Sequence, residues 1–204
     1  MTRIAVGTAR AYHSQLREQQ ADATRGRILD ATLRVMASGI ASVSVPAVAR
    51  EAGVSVPTIY RHFGTKRDLL AALHTHVVRR SGSDDVVVPR SLDELRDGVR
   101  AIFDRVESLD DLVRAAVASP AAEESRRITM PPRLAMARRF VDTIGPTLPD
   151  VDRARIARLL TILTTSSALR AWRDHLGSSV DEAADDVDWV VCATIAAAAS
   201  RNGR

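Results

Sequence analysis

From Thr24 onward, apolar side chains recur at three- and four-residue steps. Ile28, Leu29, Leu33 and Met36 fall on one face of a helix that Ser38-Gly39 ends. Ahead of it, residues 1–23 show weak periodicity and carry Arg3, Arg10 and Arg17, so they read as a basic, flexible arm. Two short helices follow. One opens at Ser44 and turns Val48, Ala49 and Ala52 inward; the next opens at Ser55 and turns Ile59 and Phe63 inward. Gly53 and Gly64 break them, glycine being free to reverse the chain. Thr65-Lys66-Arg67-Asp68 has the form of a capping box, and Leu69, Leu70 and Leu73 carry that helix to about Arg80.

Ser81 to Arg90, with Gly, Ser, paired Asp and Pro, reads as a linker. Ser91-Leu92-Asp93-Glu94 looks like a second capping box, opening a helix to about Ser108, and a shorter helix reaches about Ser119. Residues 120–132 read as a loop or frayed segment, with Pro131 or Pro132 starting a helix that ends near Gly145-Pro146. Two long helices remain. One spans about Asp150 to Leu176; the other starts at the capping box Ser179–Glu182. The pattern is all-α and divides into an arm (1–23), a helix-turn-helix domain with its linker helix (24–80) and a larger helical bundle (81–204).

Charge sharpens this division. Residues 1–80 hold 12 Arg and Lys against 5 Asp and Glu, whereas residues 81–204 hold 17 against 20. A basic first part on a slightly acidic remainder implies an anionic partner for the first part alone. Aromatics make up only 3% of the chain, so its core rests on Ala, Leu, Val and Ile. The single cysteine, Cys192, allows no intrachain disulfide and fits a reducing, cytoplasmic setting. The longest apolar run, Trp189 to Ala199, is about half of the ~20 residues a membrane span needs, so no membrane role is expected.

Catalytic and metal chemistry find no support. No Gly-rich phosphate loop, nucleophile elbow or metal-ligand spacing occurs. His74 and His76 are two apart and point to opposite sides of a helix. Neither enzyme activity nor a cofactor or metal is expected.

Residues 44–63, SVPAVAREAGVSVPTIYRHF, make a helix, a tight turn and a second helix. With Ile59 and Phe63 inward, Ser55, Val56, Pro57, Thr58, Tyr60, Arg61 and His62 occupy the open face and its flanks. Thr58 can meet a base edge or a thymine methyl, and Val56 offers apolar contact. Tyr60 and His62 can donate to phosphates, and Arg61 can read guanine or clamp a phosphate. Ser44 and Lys66 sit at helix starts, where backbone amides also favour phosphate.

Within this segment Ala52-Gly53-Val54-Ser55, then Tyr60-Arg61-His62-Phe63, then Lys66, resembles the DNA-binding signature of the tetracycline-repressor (TetR) family over about residues 24–80. Pro57 stands where that family often has Gly. The C-terminal stretch LLTILTTSSALRAWRDHLG, with the acidic helix start after it, is similar to the last helix pair of many actinobacterial members. The resemblance implies a homodimer on near-palindromic double-stranded DNA, repressing until a small-molecule effector releases it. A ligand-independent DNA-binding regulator or activator is the alternative. The dimer would rest on Ile156, Leu160, Leu163, Ser167, Val187, Val191, Thr194, Ile195 and Ala198 of the last helices. Candidate pocket walls are Phe103, Val106, Leu112, Met130, Met136, Phe140, Leu163 and Trp172, a set that suits a hydrophobic effector. Arg133, Arg138 and Arg173 are candidate anchors for an anionic group, and their order is not legible in the sequence.

Overall fold

The computed structural model describes residues 5–81 and 89–202, with side chains for 16–81 and 89–201. The side chains of Arg3 and Arg10, and positions 82–88 of the expected linker, lie outside the described residues. Ten α-helices and one π-helical turn make up the described structure, and no strand occurs in it. The helices are α1 (Ala5–Ala37), α2 (Val45–Ala52), α3 (Val56–Phe63), α4 (Lys66–Arg80), α5 (Leu95–Glu107), α6 (Asp111–Ala118), α7 (Ala122–Ile144), α8 (Asp150–Leu163), α9 (Ser166–Arg170) and α10 (Val180–Asn202).

Helix α1 begins at Ala5 rather than at Thr24. Residues 5–23 lack an apolar stripe, yet Ala, Gln, Arg, Glu and Leu are strong helix formers, and they extend the helix. The chain divides into two compact units. The first ends at Val77 and takes back Asp111–Ser125; the second holds Val78–Asp110 and Arg126–Arg204. In the first, α1 packs on α2, α3 and α6. Ile28, Leu33, Val48, Ile59, Leu69, Leu70 and Val113 are buried in it almost completely. The return of α6 to α1 was not expected from a boundary at residue 80.

In the second unit, α5 packs along α10, and α8 packs on α10 and α9. Its core gathers Leu95, Val99, Phe103, Val141, Ile156, Leu169, Val187 and Val191. Arg96 and Arg100 of α5 pair with Asp181 of α10 at 3.6 and 3.0 Å, and Arg201 of α10 reaches Asp152 of α8 at 3.1 Å.

Three expectations need correction. Residues 122–132 are helical, and α7 runs through Pro131 and Pro132. Proline cannot donate to the carbonyl four residues back, so the helix continues there with two backbone rungs missing. The long helix from Asp150 stops at Leu163, because Thr165 takes an N-cap position and accepts from the Ala168 amide at 3.1 Å. The four successive hydroxyl residues Thr164 to Ser167 offer the backbone alternatives to helical bonds. The chain resumes as α9 and passes into a π-helical turn, Ala171–His175. Finally, α5 starts at Leu95 without a Ser91 cap; the Glu94 carboxylate accepts from the Arg90 amide at 2.8 Å instead.

Candidate functional site

The turn between α2 and α3 depends on Gly53, whose φ of 65° and ψ of 36° are left-handed. Its amide and that of Val54 donate to Arg50 and Ala49 at 3.3 and 3.0 Å, satisfying the last carbonyls of α2. Ser55 then caps α3, accepting from the Thr58 amide at 3.3 Å while the two hydroxyls meet at 2.9 Å. Ile59 and Phe63 are buried, as their spacing predicts. The opposite face stays open: Ser55, Pro57, Tyr60 and Arg61 are exposed, with Val56, Thr58 and His62 half-buried. Tyr60 keeps 45% of its surface, which leaves its hydroxyl free of the core. Ser44 is exposed at the start of α2 and makes no side-chain cap.

Arg25 is a structural partner that sequence reasoning missed. Its guanidinium donates to the His62 carbonyl at 2.6 Å and lies 4.2 Å above the centre of the Phe63 ring. One α1 side chain thereby holds the C-terminal end of α3 by a charge-assisted bond and a cation–π contact. Burial, then Arg61 and Arg25, push the His62 imidazole below its ordinary pKa. Lys66 also has a partner: its ammonium pairs with Glu124 of α7 at 2.7 Å.

A cavity of about 540 Å³, its open mouth included, lies in the second unit. Leu95, Gly98, Val99 and Ile102 of α5 form one wall; Arg133, Met136, Ala137 and Phe140 of α7 form another. Leu160, Thr161 and Thr164 close it from the α8 side, and Pro89 lies at its edge. Of the expected pocket residues, Met136 and Phe140 line it. Phe103 is buried with Trp172 against it at 6.1 Å between ring centres, and Val106 and Leu163 pack on the same core. Met130 does not line the cavity, and Leu112 belongs to the other unit.

The expected dimer residues are mostly spent inside the chain. Ile156, Leu160, Val187, Val191 and Ala198 are buried in the second unit's core, with Leu163 and Ile195 packed against it. Thr194 is half-buried and Ser167 exposed. The surface of these helices instead shows Val151, Leu159, Ile162 and Trp189, the last 71% exposed. Cys192 is half-buried, and burial together with Asp188 raises its thiol pKa, which favours the protonated thiol.

A capped, outward-facing second helix on a basic helical unit defines a helix-turn-helix module. Residues 28–73 match the tetR family of bacterial regulatory proteins. The chain is 31% identical over 169 residues to the HTH-type transcriptional repressor KstR of Rhodococcus jostii (strain RHA1), covering 78% of this chain and 77% of that protein. It is also 33% identical over 93 residues to the HTH-type transcriptional regulator SrpR of Pseudomonas putida, and 35% over 80 residues to the regulator TtgR of the same species. Those two matches cover 44% and 35% of this chain and span 42% and 38% of the relatives' own length. A crystal structure of a TetR transcriptional regulator from Rhodococcus sp. RHA1 has the same fold, with a TM-score of 0.50 at 20% identity over 87% of this chain and 97% of that one. The chain belongs to the tetR family: it is a DNA-binding transcriptional regulator and not an enzyme.

Proposed function

We propose that the protein is a homodimeric repressor that leaves its operator when a small molecule fills the second unit. The observation that carries the DNA reading is the open face of α3, where Ser55, Pro57, Tyr60 and Arg61 are exposed at and beyond a capped N-terminus. In this reading α3 lies in the major groove. Ser55, Val56, Pro57 and Thr58 approach base edges, while Ser44, Tyr60, His62 and Lys66 grip the strand beside it. Arg61 reads guanine or clamps phosphate.

One such module covers few base pairs, so two are needed, about 34–36 Å apart on a near-palindrome. The dimer face is reassigned to the exposed stripes of α8 and α10: Val151, Leu159 and Ile162 on one, Trp189, Ala193, Ala196 and Ala197 on the other. Large apolar side chains left in water favour a partner surface, and the alanines allow close helix approach. Repression accords with KstR, the relative matched over most of its length, being a transcriptional repressor. The cavity between α5, α7 and α8 supports effector binding, and an effector releases DNA only through its preference for the DNA-incompetent state.

A gel shift with the DNA upstream of its own gene tests this. The wild type is expected to shift that DNA at moderate salt; Tyr60→Ala and Lys66→Ala proteins of unchanged thermal stability are expected to lose the shift. A folded wild type that ignores every duplex at low salt overturns the reading.

A further inference from the structure

Among the described residues, the cavity holds one cationic group in an otherwise apolar wall. Arg133 projects from α7 and donates through Nη2 to the Thr164 carbonyl at 3.0 Å, which fixes the guanidinium and leaves its other donors without a partner among the described residues. No carboxylate among the described residues lines the cavity. The other two candidate arginines are neutralised: Arg138 pairs with Asp142 and Asp150, and Arg173 pairs with Glu107 at 3.5 Å. Burial lowers the Arg133 pKa, although an arginine stays charged at any physiological pH. A charge withdrawn from water without a counter-ion costs stability, and an anionic ligand relieves that cost.

The neighbouring hydroxyls narrow the choice. Thr161 donates to the Ala157 carbonyl at 2.7 Å and Thr164 to the Leu160 carbonyl at 2.7 Å. Both protons are committed, so Arg133 is the donor available to an anion there. A single guanidinium balances one negative charge in a planar, two-oxygen group, which describes a carboxylate better than a phosphate dianion. Val99, Ile102, Met136, Phe140 and Leu160 would take an apolar body.

We propose that the cavity binds an amphipathic monocarboxylate, its carboxylate on Arg133 and its hydrocarbon between α5, α7 and α8. This rests on the effector reading above and names the class of effector.

Calorimetric titration of the DNA-free protein with decanoate, 1-decanol and decylamine tests it, since the three differ only at the head. Decanoate is expected to bind at least tenfold more tightly than decanol, and decylamine least. Arg133→Met should abolish the acid's advantage while keeping decanol binding, and its Tm should change little, because the guanidinium is half-buried with one hydrogen bond and no ion pair among the described residues. Arg133→Lys should retain part of the preference; it is read in place of Arg133→Met should that variant fail to fold. Equal binding of acid and alcohol, undiminished decanoate binding by the Met variant, or no binding of any probe would overturn the assignment. None of these outcomes bears on DNA recognition. Decanoate that binds through Arg133 yet fails to release the operator would count against ligand release and leave the carboxylate site intact.

Discussion

Lys66 enters the DNA reading already paired. In the free protein Glu124 sits 2.7 Å from its ammonium, both side chains about one-third exposed. A phosphate at that position has to compete with the carboxylate. Exposed ion pairs are worth about 0.2–1 kcal/mol, so Glu124→Gln should tighten operator binding by roughly 1.4- to 5-fold. Lys66→Ala should weaken binding to all sequences alike and reduce the slope of log affinity against log salt by about one. Filter binding at several salt concentrations measures both; an unchanged slope in Lys66→Ala would remove this lysine from the phosphate contacts. His62 gives a pH signature. Its folded-state pKa lies below the value of about 6.5 that an unfolded histidine has. The unfolded chain therefore takes up the proton first. The stability His62 contributes is complete above that pH and is lost as pH falls through it. Denaturant titrations at pH 7.5 and 5.5 should show the loss, and His62→Gln should reduce it. A phosphate beside the ring favours the imidazolium, so operator affinity should move the other way and rise as pH drops.

Local capping chemistry made the DNA-binding elements legible before any coordinates. Ser55 and Gly53 were readable because a serine cap and a left-handed glycine are decided within a few residues. The reciprocal box at α10 was readable for the same reason: the Ser179 amide donates to Glu182 at 2.7 Å, and the Glu182 amide to the Ser179 hydroxyl at 3.1 Å. Gly53→Ala should cost about 1–2 kcal/mol, the penalty of a left-handed L-residue, and operator affinity should drop with it as α3 loses its angle to α2. Circular dichroism melts and gel shifts measure the two effects. Elements set by tertiary contacts were not legible. Pro131-Pro132 reads as a helix start, whereas Ala137, Phe140 and Val141 bury enough of α7 to carry it through the prolines. Thr164 and Thr165 lie inside a continuous apolar periodicity, and only the side-chain bonds reveal the break. Arg133 could not be told from Arg138 or Arg173: Asp142, four residues after Arg138, was a visible partner, but Asp150 reaches Arg138 across a turn and Glu107 reaches Arg173 from a distant helix.

At the scale of the molecule, α8 and α10 each carry two apolar stripes, and hydrophobicity alone does not say which one faces a second copy. The more aliphatic stripe, with Ile156, Val187 and Val191, is consumed by the chain's own core, so it has no surface to share. The second stripe is sparser. Trp189 and Ile162 keep 71% and 59% of their surface, and Val151 keeps 61%. An exposed tryptophan with small residues along the same helix suits the centre of an interface, where truncation is most costly. Trp189→Asp with Ala196→Glu should therefore convert a dimer to a folded monomer by light scattering, with little change in helical content. DNA binding should then split by site architecture. Joining two modules raises effective affinity by about 10²–10⁴ over one, so the monomer should lose that factor on the full palindrome and nearly nothing on an isolated half-site. Equal losses on both would mean that the substitutions disturb α3 itself. A double variant that stays dimeric would move the interface off α8 and α10, and the one-turn spacing of the recognition helices would need another support.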